Sequence, residues 1–126
     1  MKTVIKTENA PNPIGPYNQA ILSDNTLYIS GQIGIDPTTG KLVSSDIKEQ
    51  SLRVMKNLEA ILLEAGMDFS NVVKSCIMVT NLDHFALVNE VYGGFFGNDP
   101  PARETLQTSR LPLNSDLEIS MIAVKK

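Results

Sequence analysis

Apolar residues return along the chain at two different spacings, and the change of spacing marks the elements. Between Asp46 and Ala65, Val54, Met55, Leu58, Ile61, Leu62 and Ala65 recur at steps of three and four, the stripe of an amphipathic helix. Asp46, with Glu49 three residues on, predicts its N-terminal cap, and Gly66 predicts its end. A second helix is predicted from about Asp83 to Phe96, with Phe85, Val88, Val91, Tyr92, Phe95 and Phe96 as its core stripe. Gly93 and Gly94 weaken its last turn.

Alternation with period two predicts the strands. The first runs from Thr3 to Thr7. Gln19 to Leu22 and Thr26 to Gly31 form a hairpin turning at Ser23-Asp24-Asn25. Pro37-Thr38-Thr39-Gly40 is a second turn. Val72 to Thr80 is apolar on both sides and reads as a central strand. Two more strands span about Ala102 to Ser109 and Asp116 to Val124. In the last, Leu117, Ile119, Met121 and Ala123 share one face, and Glu118, Ser120, Ile122 and Val124 share the other. Between the first strand and the hairpin, Pro11, Pro13 and Pro16 fall within six residues, which forbids helix and regular sheet and predicts a stiff, extended loop.

Strands and helices do not alternate one for one, so a doubly wound parallel sheet is disfavoured. A mixed sheet of the α+β class, with two helices on one face, fits better. Two helices leave the other face of such a sheet uncovered. An apolar sheet face usually finds a partner, so a homo-oligomer is expected, with room for a site between subunits.

Length and charge narrow the function. With 126 residues, a single domain spanning 1–126 is expected. The net charge is −3, and the basic residues are scattered, with only Lys125-Lys126 adjacent. Nucleic-acid binders draw affinity from a basic face, so no nucleic-acid partner is expected. The single Cys76 excludes an intrachain disulfide and reads as a buried strand thiol. No stretch has the length of a signal peptide core or of a membrane span, and a cytoplasmic location is expected.

The candidate chemistry sits on the last two strands. Arg103 and Thr105 share a parity on the penultimate strand, and Glu118 lies between apolar neighbours on the last. The pattern assigns all three to the uncovered face and Glu104 to the opposite one. A sheet-embedded Arg and Glu are costly unless paired or functional. Two readings stand. One is an Arg103–Glu118 ion pair that fixes strand register or a subunit interface. The other is a carboxylate-binding Arg103, whose planar fork suits that anion, beside a water-activating Glu118. The lone His84, at a helix start, supports no Ser-His-Asp arrangement, and one Cys with one His makes no ordinary zinc site. No phosphate-loop or dinucleotide glycine motif is present.

Taken together, Ile14-Gly15-Pro16-Tyr17, Ser30-Gly31-Gln32, Val88-Asn89-x-x-Tyr92-x-x-Phe95-Phe96, Pro101-Ala102-Arg103, Arg110-Leu111-Pro112 and Leu117-Glu118-Ile119 resemble the RidA/YjgF family, the reactive intermediate deaminases. The likeness runs the length of the chain. It implies a chorismate-mutase-like fold and a homotrimer with clefts between subunits. It also implies hydrolysis of 2-aminoacrylate, 2-iminopropanoate and 2-iminobutanoate to 2-keto acids and ammonia, with no cofactor and no metal. By the same resemblance, Arg103 binds the substrate carboxylate and Glu118, fifteen residues on, activates water. Tyr17 walls the cleft and donates a hydrogen bond, and Ser30, Gly31 and, less directly, Asn89 line it. Many members read Arg-Ser-Cys where this chain has Arg103-Glu104-Thr105, so Thr105 stands in place of a site thiol. Some relatives are described as regulators, which makes a 2-keto-acid-sensing module the alternative. Ribonuclease activity, attached to others, sits poorly with the acidic charge.

Overall fold

A computed structural model describes residues 1–126. The chain opens with β1 (Lys2–Ile5), crosses the proline-rich loop and forms the hairpin β2 (Ala20–Ser23) and β3 (Thr26–Gln32). A small hairpin of β4 (Ile35–Asp36) and β5 (Lys41–Leu42) closes over the predicted turn at Pro37–Gly40. Then come α1 (Ile47–Glu64), β6 (Val72–Val79), α2 (Phe85–Gly93), β7 (Ala102–Gln107) and β8 (Leu117–Val124).

Six strands make one sheet in the order β1-β2-β3-β8-β6-β7. Every neighbour is antiparallel except β6 and β7, which are parallel. Parallel neighbours need a crossover, and the segment carrying α2 supplies it. The architecture is the expected α+β sheet with two helices on one side. The helix stripe buries Val54, Met55, Leu58, Ile61 and Leu62 against Leu27, Ile29, Ile77, Val79, Leu117, Ile119 and Met121 of the sheet. In β8 burial alternates residue by residue, as the sequence requires. The other face has no covering element. Val4 and Tyr28 there are each 50% exposed and Leu106 is 41% exposed, beside half-buried Met78, Ile122 and Val124. No helix is long and apolar enough to cross a membrane.

Several boundaries differ from the pattern. The first strand ends at Ile5 rather than Thr7, because Thr7 is turned inward and its backbone is bound by Gln19. The second helix is shorter at both ends. A 3-10 turn covers Leu82–His84, and the helix stops at Gly93. Phe95 and Phe96 still join the core, but from outside the helix, packing edge-on against Phe69 at 5.3 and 5.4 Å between ring centres. Phe85 is 41% exposed rather than core. Cys76 lies half-buried on the uncovered face rather than inside.

The end of α1 follows the glycine signal closely. Gly66 adopts φ 74 and donates to the Leu63 carbonyl at 3.0 Å, while Met67 donates to that of Leu62 at 2.9 Å. That pair of bonds is the Schellman closure, and a side chain at Gly66 would sit in the left-handed region. Gly66→Ala is expected to lower stability by about 1 kcal/mol without changing the fold. An unchanged urea midpoint would show that the turn tolerates a Cβ.

Candidate active site

The site begins with a slip in the sheet. On β3, Ile29 pairs with Met121 of β8, but the next pair is Gln32 with Ile119, so β3 carries one extra residue. Ser30 and Gly31 fall in the slip with no ladder partner on β8. Bulges of this kind re-aim side chains and free backbone. Here the slip ties down the proline-rich loop. The Ser30 hydroxyl donates to the Asn18 carbonyl at 2.6 Å, and the Ser30 N–H donates to that of Gln19 at 2.9 Å.

Gln19 holds the rest of the loop. Its carboxamide is buried, 2% exposed. The nitrogen donates to the carbonyls of Thr7 (3.0 Å), Ala10 (3.2 Å) and Pro11 (2.8 Å), and the oxygen accepts the Thr7 N–H at 2.8 Å. Prolines contribute carbonyls but no N–H, so a loop rich in them needs donors from elsewhere. The sequence pattern took Gln19 only as the start of a strand. A carboxamide beside a run of prolines was the available signal.

On this braced loop, Tyr17 is 46% exposed, and its hydroxyl accepts the Ile14 N–H at 3.4 Å. Loop and bulge enclose a cleft of about 380 Å³, lined by Ile14, Tyr17, Ser30, Gly31, Ile33, Pro112 and Glu118 among others. Glu118 comes from β8 and lies directly against Gly31. A Cβ on Gly31 would stand 2.7 Å from the Glu118 carboxyl carbon, so only glycine leaves the carboxylate its place. Burial pushes the Glu118 carboxyl above its ordinary 4.5, and the side chain forms no ion pair.

Arg103 lies elsewhere, contrary to the sequence expectation. In the parallel ladder Arg103 faces Ser75 and Thr105 faces Ile77, both fully buried on the helix side. Glu118 pairs with Met78 and belongs to the uncovered face. Arg103 and Thr105 are therefore on the opposite face from Glu118, and no Arg103–Glu118 pair exists within the chain. Glu104, expected away from Glu118, shares its face and pairs with Lys74 at 2.9 Å. Alternation orders residues within a strand, but the pairing between strands sets the phase, and that pairing is not written in either strand alone.

Around Arg103 a second polar group forms. Its Nη1 donates to the Asn89 side-chain oxygen at 2.8 Å, and its guanidinium lies over the rings of Phe85 (5.4 Å) and Tyr92 (5.1 Å). The Thr105 hydroxyl is buried without a partner. The predicted residues thus fall into two groups: Tyr17, Ser30, Gly31 and Glu118 in the cleft, and Asn89, Arg103 and Thr105 on the helix side of the sheet. His84 belongs to neither on any contact seen, and burial raises the Cys76 thiol beside Glu104, outside the cleft. No three His, Cys, Asp or Glu side chains converge as metal ligands do. Gly31→Ala is expected to crowd Glu118 out of its place, returning its titration towards 4.5 in a carboxyl NMR titration, with little change in stability because only the flexible Glu118 side chain must move. A Glu118 titration identical to that of the unaltered protein would contradict the close approach.

The family model described as Endoribonuclease L-PSP matches residues 7–125. A RutC family protein of Pyrococcus horikoshii is 49% identical over 126 residues, spanning 100% of both chains. A human protein named 2-iminobutanoate/2-iminopropanoate deaminase is 45% identical over 125 residues, covering 99% of this chain and 91% of its own. Among solved structures, a Yersinia pestis protein of the conserved Rid protein family superposes with a TM-score of 0.97 at 46% identity, over 99% of this chain and 100% of that one. The match takes in the loop, the slip in β3 and both charged strands, and the chain belongs to this family, the RidA/YjgF group within the Endoribonuclease L-PSP model.

Proposed function

We propose that this protein hydrolyses reactive 2-imino acids and their enamine tautomers to 2-keto acids and ammonia, without a cofactor. The observation that carries the reading is a pair of unmatched charges. Glu118 is a half-buried carboxyl with no cation, and Arg103 is a half-buried guanidinium with no anion. Groups of that kind are costly to hold in a sheet, and a ligand bearing a carboxylate and an electrophilic carbon would satisfy both. The name of the human relative, 2-iminobutanoate/2-iminopropanoate deaminase, describes the same reaction class.

In this reading Arg103 grips the substrate carboxylate through its planar fork and so orients the imine carbon. Glu118 takes a proton from a water as the water oxygen attacks that carbon. The resulting carbinolamine collapses: Glu118 returns its proton to the nitrogen, the C–N bond breaks as the C=O bond forms, and the hydroxyl proton passes to the departing ammonia. The 2-aminoacrylate enamine enters after protonation at its terminal carbon. Tyr17, Ser30, Asn89 and Thr105 shape the pocket.

One chain holds Arg103 and Glu118 on opposite faces of its sheet, too far apart in direction for a three- or four-carbon substrate. We propose that two copies share each site, Arg103 from one and Glu118 from the next, in a ring of three. The uncovered apolar face around Tyr28, Ile122 and Leu106 supports such an assembly.

The test is a coupled assay in which a Thr or Ser dehydratase generates the imine and keto-acid release is followed. Acceleration by the unaltered protein, lost in Arg103→Ala and in Glu118→Gln, is expected. No acceleration by folded protein would turn the reading to a ligand-sensing module. Unfolding and refolding the two inactive variants together is expected to restore activity at about a quarter of the sites, since mixed rings contain some clefts with both residues intact. A mixture that stays inactive would refute a site shared between copies. The pH profile follows from Glu118. The reactive form is the carboxylate, and burial makes the group keep its proton to a higher pH. Activity is therefore expected to fall as pH drops, with a midpoint above 4.5. A midpoint at or below that value would assign the base elsewhere.

A further inference from the structure

Phe85, Asn89 and Tyr92 occur at positions i, i+4 and i+7 of α2, so one stripe of the helix carries all three. Arg103 meets that entire stripe: the Phe85 ring at 5.4 Å, the Tyr92 ring at 5.1 Å and the Asn89 oxygen at 2.8 Å. Tyr92 is itself anchored. It is 5% exposed, and its hydroxyl donates to the Ser75 hydroxyl at 2.9 Å. Ser75 is fully buried and is the ladder partner of Arg103 on β6. Strand, ring and guanidinium therefore close a circuit in which each fixes the next. Phe85, by contrast, is 41% exposed at the start of the helix and adds little to the core. The arginine gives its ring a purpose.

The consequence concerns which edge of Arg103 stays free. Asn89 occupies Nη1, while Nε and Nη2 make no hydrogen bond within the chain. Those two nitrogens form the edge that binds a carboxylate with two parallel bonds. An unrestrained arginine would spread that edge over many rotamers, and two aromatic faces confine the guanidinium plane.

We propose that Phe85 and Tyr92 are positioning residues that orient Arg103, so that its Nε–Nη2 edge is presented to a ligand carboxylate before the ligand arrives. The inference rests on the reading of Arg103 as the carboxylate-binding residue. Neither ring is assigned contact with the substrate. The substitution of choice is Phe85→Leu, which keeps apolar bulk and removes the π face, with Phe85→Tyr as the conservative rescue.

The probe is 2-oxobutanoate, titrated calorimetrically into the unaltered protein, Phe85→Leu, Phe85→Tyr and Arg103→Ala. Phe85→Leu is expected to bind it roughly three- to tenfold more weakly at an unchanged melting temperature, and Phe85→Tyr to bind it as the unaltered protein does. In the imine assay, KM is expected to rise by the same factor while kcat changes by less than about twofold, the signature of lost binding rather than lost chemistry. If Arg103→Ala loses binding and Phe85→Leu does not, the positioning role is overturned and the reading of Arg103 stands. If the unaltered protein fails to bind 2-oxobutanoate, or Arg103→Ala binds it equally well, the reading of Arg103 falls and the inference falls with it.

Discussion

A single surplus residue in β3 sets the geometry of the cleft. Because β3 and β8 slip past one another between Ile29 and Gln32, Ser30 and Gly31 leave the ladder at the place where β8 delivers Glu118. The missing side chain at Gly31 admits the carboxylate, and the Ser30 hydroxyl catches the loop that carries Tyr17. Restoring regular pairing would turn every later residue of β3 over and separate these three contacts. The slip is local, but the loop, the carboxylate and the cleft wall all take their positions from it.

Much of the scaffold was legible in the chain. The steps of three and four in α1, the alternation in β8 and the glycine at position 66 each imposed one local geometry, and each was found. The site was legible only in part. Arg103 and Glu118 were placed in strands, where they lie, but their relative faces were not legible. That relation depends on β6, which pairs antiparallel with β8 and parallel with β7 and so transmits parity between them. Gln19 escaped notice for a related reason. Its importance lies in the carbonyls of Thr7, Ala10 and Pro11, which reach it only once the loop has folded back.

The sheet acts as a partition. Its helix side holds a guanidinium confined by aromatic rings, and its open side leads to a carboxylate made more basic by burial. The intervening layer of backbone keeps these two opposite charges from pairing within the chain. Each is thereby left without an ionic partner inside the chain.

The carboxamide of Gln19 shows where such a design is fragile. Three loop carbonyls converge on one side-chain nitrogen. Hydrolytic ageing of that amide to a carboxylate would change a single atom and replace a donor by an acceptor. The same three oxygens would then face a negative charge in a buried space, and the loop bearing Tyr17 would be left to the Ser30 bonds alone although no residue of the cleft's chemistry had been touched.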